Sequence, residues 1–186
     1  RDPFRILISC VISLRTKDEV TEGASRRLYR LARTPKAMLR LPARRIARAI
    51  YPAGFYRVKS RQILHICRAL LNEHRGLVPA NEEALLKLDG VGRKTANLVL
   101  GLAFNQPAIC VDTHVHRLSN RLGLVRTKTP EETEYALREI LPRRLWIPVN
   151  GWLVTYGKRI CQPVSPWCSR CALRPLCPRR GVVQSR

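Results

Sequence analysis

Residues 88–96 read Leu88-Asp89-Gly90-Val91-Gly92-Arg93-Lys94-Thr95-Ala96, and this stretch decides the fold. A short apolar run with acidic residues at its start, about Glu82 to Leu88, predicts a helix before the turn, and a second helix begins near Gly92. The two glycines allow positive φ and let the backbone approach an anion closely, and the first N–H groups of the second helix would point at a phosphate. An ordinary connection between two helices is the alternative. The Leu before the turn, the basic pair after it and the charge of the whole chain favour a phosphate site.

The overall charge also indicates a polyanionic partner. Among 186 residues, 35 are Lys or Arg and 13 are Asp or Glu, which gives a formal net charge of +22. This excess argues against an ordinary neutral metabolic enzyme and favours nucleic acid, with an anionic membrane surface as the rival. A membrane-surface protein would need one basic amphipathic helix with a broad apolar face, whereas these charges are spread along the whole chain.

The pattern of the chain is helical nearly throughout, without convincing alternating strands or internal repeats. Thr34-Pro35, Asn81-Glu82-Glu83 and Thr129-Pro130-Glu131-Glu132 are helix-start signals, in which a side chain caps the helix before a proline or acidic first turn. The apolar run Ile6 to Leu14 resembles a signal-peptide core, but charged residues follow it and no small-residue cleavage site does. We therefore predict a buried helix there, and a soluble intracellular protein without a membrane span.

Lys94 falls in the first turn of the second predicted helix. A cation there opposes the helix dipole, so we expect its amine to lose a proton more readily than that of a surface lysine. A neutral amine is a nucleophile that can form a Schiff base. From its spacing alone, Lys94 is equally compatible with a simple phosphate contact.

A second constellation, Val111-Asp112-Thr113-His114-Val115-His116-Arg117, follows the apolar stretch Ala108-Ile109-Cys110. An Asp after an apolar run is often only a helix N-cap, and this interpretation stays open beside a chemical one. No nearby carboxylate or thiol completes a metal site with the two histidines. We expect them to contact the DNA backbone or to form local hydrogen bonds.

Four of the seven cysteines lie near the C-terminus with the spacing Cys161-x6-Cys168-x2-Cys171-x5-Cys177. Four thiolates within 17 residues of Pro-rich chain predict one metal centre, and the 6-2-5 spacing with a single short pair favours a cubane cluster over zinc. The other three cysteines lie in apolar stretches and are predicted to be buried: Cys10, Cys67 and Cys110.

Together, three segments resemble the endonuclease III branch of the helix–hairpin–helix DNA glycosylases, and the resemblance runs from about Phe4 to Cys177. They are LDGVGRKTANLVL (88–100), VDTHVHRLSNRLGL (111–124) and the 6-2-5 cysteines. Residues 50–60 and 141–157 look closer to the eukaryotic-type members. The family's first helix has no counterpart before Arg1.

The resemblance implies an all-α, two-lobed fold with DNA bound across the cleft. Residues 1–106 would form a helical barrel carrying the helix–hairpin–helix at about 82–104. Residues 107–186 would hold a 4Fe–4S cluster in the loop 161–177. The partner would be double-stranded DNA with damaged pyrimidines or abasic sites, the protein would be a monomer, and its location would be cytoplasmic and nucleoid-associated in a bacterium or archaeon and nuclear in a eukaryote.

The activity implied is excision of oxidised pyrimidines followed by strand cleavage through β-elimination, as base excision repair requires. Lys94 falls on the family's nucleophile and Asp112 on its catalytic carboxylate; both are rare residue types here, with 7 Lys and 4 Asp in the chain. The cluster ligands would be Cys161, Cys168, Cys171 and Cys177. DNA contacts would come from Gly90, Val91, Gly92, Arg93, Thr95, Thr113, His114, and from Arg15 and Phe55, which would fill and wedge the opened duplex.

The sequence departs from the family pattern at several positions. Arg15 stands where the family usually has Gln, which bears on the preferred opposite base, and Asp89 replaces the usual Pro of the hairpin and brings a negative charge to it. Two other interpretations remain: an adenine-mismatch glycosylase and a non-catalytic DNA-binding module. The first lacks the hairpin lysine and uses Glu where this chain has Cys10; the presence of both Lys94 and Asp112 argues against the second.

Overall fold

A computed structural model describes residues 2–186 of the chain. Throughout this range the regular elements are helices, and the structure contains no strand, which confirms the all-α prediction. The α-helices are Pro3–Ser13 (α1), Asp18–Leu31 (α2), Pro35–Leu39 (α3), Ala43–Ile50 (α4), Tyr56–Glu73 (α5), Glu82–Leu86 (α6), Arg93–Phe104 (α7), Thr113–Arg121 (α8), Pro130–Ile140 (α9) and Trp146–Arg159 (α10). None of the helices within residues 2–186 is long and apolar enough to cross a bilayer.

The predicted helix starts form as their side chains dictate. Thr34 Oγ1 accepts a hydrogen bond from Ala37 N at 3.2 Å, and Thr129 Oγ1 accepts one from Glu132 N at 3.1 Å. Asn81 Oδ1 accepts from Ala84 N at 2.8 Å. Each bond satisfies one of the backbone donors that a helix leaves without an intrahelical partner, so the short polar residues fix where these helices begin.

The chain forms two compact units, one ending at Asn105 and the other spanning Gln106–Arg186. In the first unit, the apolar run predicted as a buried helix is α1, which packs against α2, α5 and α7. Its core side chains are fully buried: Leu7, Ile8, Val11 and Ile12. Helices α3 and α4 pack on α5, and α6 packs on α7, so α1 and α5 support the segments that carry the candidate site residues.

In the second unit, α8 packs against α9 and α10 around a smaller apolar core. Its buried members are Ile109, Val111, Val115, Val125, Leu137 and Val149. After α10, the chain to Arg186 has only two short 3-10 turns, Cys168–Arg170 and Arg174–Leu176. The three scattered cysteines are buried as predicted, at 7%, 0% and 3% exposure for Cys10, Cys67 and Cys110.

Candidate active site

The helix–hairpin–helix consists of α6, a tight turn and α7. Val91 N donates to Leu88 O at 3.0 Å, and both side chains are buried, at 5% and 3% exposure, so they anchor the turn. Helix α6 ends at Leu86, two residues earlier than predicted, because Leu88 N already turns back to Leu85 O at 3.2 Å in the tighter i to i+3 pattern. The start of α7 agrees with the prediction, with Gly92 at its N-cap.

The two hairpin glycines serve different purposes. Gly90 has φ +72°, a backbone conformation that residues with a side chain rarely adopt, and a Cβ there would lie 2.6 Å from Gln62 Nε2. Gly92 has φ −95°, and a Cβ there would meet no atom within 4 Å. Gly90 is therefore required by the turn itself, whereas Gly92 leaves the N-terminus of α7 open to an approaching ligand.

Charged side chains around the hairpin are partly paired. Asp89 Oδ2 lies 2.9 Å from His65 Nδ1 on α5, so the negative charge that replaces proline is directed to a histidine of the fold. Arg93 Nη1 lies 3.3 Å from Glu82 Oε1, which ties the first residue of α7 to the first of α6.

Lys94 is the second residue of α7, and its side chain is exposed. The Thr95 side chain, at 3% exposure, is buried, so like Val91 it offers a ligand its backbone only.

Asp112 is the N-cap of α8, as its local sequence suggested. Its Oδ1 accepts hydrogen bonds from His114 N and Val115 N, both at 2.9 Å. Because Oδ1 accepts both bonds, the helix cap does not use Oδ2, the other oxygen of this half-buried carboxylate. A cap and a chemical role are therefore compatible at this residue, since each can use a different oxygen.

The residues that follow Asp112 are organised by local hydrogen bonds. His114 Nδ1 lies 3.1 Å from Arg117 Nη2, and His116 Nδ1 lies 2.6 Å from Thr133 Oγ1. Thr113 is exposed at the start of α8. The hydrogen bond of His114 is local, whereas that of His116 reaches across 17 residues to α9; a contact of these histidines with DNA stays a prediction.

Arg15 and Phe55, 40 residues apart in the sequence, lie together in the first unit. The Arg15 Cζ atom is 4.9 Å from the centre of the Phe55 ring, and the phenylalanine is 57% exposed. Both residues have positive φ, at 53° and 57°. A Cβ at Gly54 would overlap the Arg15 carbonyl oxygen, so the two backbones are in close contact only because residue 54 is glycine.

Lys59 is a residue that the sequence reasoning missed. It is 3% exposed, and its ammonium donates to Ile12 O at 2.7 Å, to Thr16 Oγ1 at 3.0 Å and to Leu14 O. Thr16 Oγ1 in turn accepts from Gly54 N at 3.1 Å, so one buried amine ties the Arg15 segment to the start of α5. Burial lowers the pKa of Lys59 to about 8. The sequence signal was its place in the apolar stripe of α5, with Ile63, Ile66, Cys67 and Leu70.

The four C-terminal cysteines line a single cavity in the second unit. All four are half-buried free thiols. Arg121 Nη1 lies 3.5 Å from Cys161 Sγ, and the Tyr156 hydroxyl lies 3.3 Å from Cys171 Sγ. Within residues 2–186, no three His, Cys, Asp or Glu side chains group closely enough for a single metal ion.

This donor set fits the cluster that the spacing predicts. Four thiols that share a cavity can each bind a different iron atom, as the ligands of an iron–sulfur cluster do. A guanidinium and a hydroxyl directed at two of the sulfurs suit a centre with net negative charge.

Comparison with known proteins defines first the class and then the family. Residues 8–143 match the HhH-GPD superfamily of base excision DNA repair proteins. Endonuclease III of Thermotoga maritima is 51% identical over 188 residues, covering 100% of this chain and 88% of that protein. Endonuclease III of Escherichia coli is 38% identical and is covered to 86%, and the endonuclease III-like protein 1 of Mus musculus is 43% identical and is covered to 59%.

A solved structure gives the same result in three dimensions. A trapped endonuclease III–DNA covalent intermediate superimposes with a TM-score of 0.91 at 38% identity, covering 96% of this chain and 84% of that one. A thermostable thymine-DNA glycosylase superimposes with a TM-score of 0.86 at 28% identity. The chain therefore belongs to the endonuclease III family of base excision repair enzymes, which are DNA glycosylases with AP lyase activity.

Proposed function

We propose that this enzyme excises oxidised pyrimidines from duplex DNA and cleaves the strand by β-elimination, with Lys94 as nucleophile and Asp112 as the charge-stabilising carboxylate. The observation that carries this proposal is the position of Lys94, an exposed residue in the first turn of α7 beside the open N-terminus of that helix. A phosphate bound at that N-terminus would hold the DNA backbone next to the amine.

The damaged nucleotide must leave the base stack before its sugar can be reached. The exposed ring of Phe55 is suited to wedge between base pairs, and the Arg15 guanidinium stacked over it is suited to fill the vacated position. The Arg15 side chain carries hydrogen-bond donors and no acceptor atom, unlike the Gln usual in the family. It would therefore favour an opposite base that presents acceptor atoms.

In the first chemical step, the amine of Lys94 gives up a proton to a general base and attacks C1′ of the sugar. A bond from Nζ to C1′ forms while the bond from C1′ to the base breaks, and the base leaves with that electron pair and takes up a proton. The nitrogen then loses a proton; as its lone pair forms the C=N bond, the C1′–O4′ bond breaks and O4′ takes up a proton, which gives the Schiff base. Removal of a C2′ proton then expels the 3′ phosphate, and water releases the lysine.

Asp112 would act on the positive charge that develops on the sugar as the base departs. The carboxylate is fixed because Oδ1 accepts two backbone N–H bonds, so Oδ2 can face the reaction without reorganisation. The same oxygen could orient or deprotonate the attacking amine.

A 4Fe–4S cluster would be held by Cys161, Cys168, Cys171 and Cys177, and it would act as a structural crosslink of the C-terminal segment. Arg121 would support it from α8, since this side chain also donates to Gln162 O at 2.6 Å and Pro163 O at 2.7 Å. We expect the enzyme to act as a monomer.

The test separates the two catalytic residues by the step at which each variant fails. Lys94→Gln should abolish the covalent complex trapped by borohydride on a thymine-glycol duplex, while binding to an abasic-site analogue should stay within about tenfold, or ~1.4 kcal/mol. Asp112→Asn keeps a competent helix cap but loses the charge, so base excision should slow by roughly 10²–10³.

The control is a preformed abasic site, on which Asp112→Asn should lose much less because the base has already left. If Lys94→Gln still forms the trapped covalent complex, Lys94 is not the nucleophile. If Asp112→Asn excises the base at the parental rate, Asp112 serves only as a helix cap.

A further inference from the structure

Four arginines line one groove on the first unit, at the junction of α4 and α5. Arg44 and Arg48 come from α4, and Arg57 and Arg61 come from the first turns of α5. All four are exposed, and they are completed by aromatic and small side chains. We name this surface the arginine groove; among the residues that the structure describes, no Asp or Glu lines it.

The spacing of the arginines works against the stability of both helices. Arg44 and Arg48 are four residues apart, as are Arg57 and Arg61, and like charges at this spacing repel one another on a helix surface. Elsewhere in the same unit, the spacing carries opposite charges: Arg26 pairs with Glu22, and Lys87 with Glu83. The two repelling pairs face a common groove, so an anion bound between them would relieve both.

The arginine groove begins beside Phe55, the residue proposed to wedge the duplex open. Tyr56 and Arg57 directly follow Phe55 in the chain, and Tyr51 packs edge-on against Tyr56 with ring centres 5.3 Å apart. The Arg57 guanidinium lies 5.6 Å from the centre of the Tyr56 ring, which holds it at the rim. Duplex DNA carries a negative charge about every 1.7 Å along its axis, so a duplex opened at Phe55 would carry phosphates past this rim.

From this geometry we propose that the arginine groove binds the sugar–phosphate backbone of the lesion-bearing duplex on one side of the lesion. The proposal rests on the proposed function, because it takes Phe55 as the point where the duplex is opened. The guanidinium fork matches phosphate oxygens in pairs, and the rings of Tyr51 and Tyr56 line the groove without adding negative charge. The contact would increase the affinity for the flanking DNA and leave the reaction at Lys94 unchanged.

The experiment measures the salt dependence of binding to a duplex with a central abasic-site analogue. If the parental protein neutralises about 6 phosphates, its log–log slope should be near −5. The variants Arg44→Gln/Arg48→Gln and Arg57→Gln/Arg61→Gln should each reduce the magnitude of the slope by about 0.9 per lost phosphate contact, which corresponds to about eightfold weaker binding at 0.1 M salt. The matched control is Lys36→Gln/Arg40→Gln, an exposed basic pair with the same spacing, one residue on α3 and the other at its C-cap, and neither has a part in the groove.

Truncated duplexes then locate the contact. With the DNA cut back on one side of the lesion, the parental protein should lose affinity for one of the two truncated duplexes, and the groove variants should no longer differ from it on that duplex. Slopes unchanged in both groove variants, or changed equally in the control, would overturn the proposal and leave an acidic protein partner as the alternative. Losses that persist equally on both truncated duplexes would overturn it as well. The proposed function is judged separately, by borohydride trapping of the parental protein.

Discussion

The hairpin of the first unit and the cysteine segment of the second achieve order in different ways. In the hairpin, Leu88 and Val91 are buried and helices flank the turn on both sides. In the segment from Cys161 to Arg186, the backbone has only two 3-10 turns, and Leu176 and Val183 are 83% and 102% exposed. The hairpin is organised by the chain's own packing, whereas the cysteine segment has little apolar surface of its own to bury.

This difference indicates how each region depends on its ligand. A turn fixed by buried side chains would present its backbone to the proposed phosphate before DNA binds, so little ordering would remain for the binding step. A segment without a core gains its folding free energy from the group that it binds, as small metal-binding domains do.

The largest effect should come from removal of one of the four cysteines proposed to hold the cluster. Cys171→Ser should bleach the yellow-brown colour of a 4Fe–4S protein, reduce solubility and abolish hydrogen-exchange protection in residues 161–186, because the segment has no core to replace the cluster. The hairpin should keep its protection. Cys10→Ala, which changes a buried cysteine of α1, is the control and should keep the colour. The contrast between the regions would be broken if hairpin protection fell as far as that of the cysteine segment.

A smaller effect concerns the buried amine beside the wedge. Burial lowers the pKa of Lys59 to about 8 from 10.5, so the folded protein holds fewer protons than the unfolded chain between these pH values. The stabilising contribution of this shift is therefore complete above pH 10.5 and is lost as the pH falls through 8. Relative to Lys59→Met, the parental free energy of unfolding should rise by up to about 3 kcal/mol between pH 8 and 10.5, at ~1.4 kcal/mol per pKa unit.

Urea unfolding of both proteins across this pH range provides the measurement. The difference between them cancels the other groups that titrate in the same range. A difference independent of pH would mean that Lys59 keeps its ordinary pKa in the folded protein.

The smallest effect separates the two hairpin glycines. Gly90→Ala should lower the free energy of unfolding by about 1–2 kcal/mol, because Ala is strained at φ +72°. Gly92→Ala should cost under about 1 kcal/mol, since its φ is ordinary and the space is open, yet it should weaken DNA binding about tenfold by placing a methyl group where a phosphate approaches. Denaturant unfolding and binding to an abasic-site analogue check the two halves. Equal effects of both variants on stability and binding would contradict the division of roles.

Local features of this fold were predictable from the sequence because their causes are local. The apolar run of α1, the caps at Thr34, Asn81 and Thr129, and the start of α7 depend on residues within one or two turns of each other. The burial of Cys10, Cys67 and Cys110 followed from their apolar neighbours in the same way.

The missed features are contacts between residues far apart in the chain. Lys59 meets Ile12 and Thr16 from more than 40 residues away, and Asp89 meets His65 across 24. Such pairs depend on how α5 packs against α1 and the hairpin, and periodicity gives the buried face of a helix without its partner. A lysine in an apolar stripe could have been flagged, but its carbonyl acceptors could not have been named.

The division of labour between the two oxygens of Asp112 has an evolutionary consequence. Asn is as good a helix cap as Asp, so a single exchange at residue 112 would leave α8 intact while it removes the charge proposed for catalysis. On the proposed mechanism, such a chain would fold and bind DNA but would turn over slowly. A single substitution would thus convert the proposed repair enzyme into a protein that binds damaged DNA without processing it. Selection on stability alone would not prevent this change.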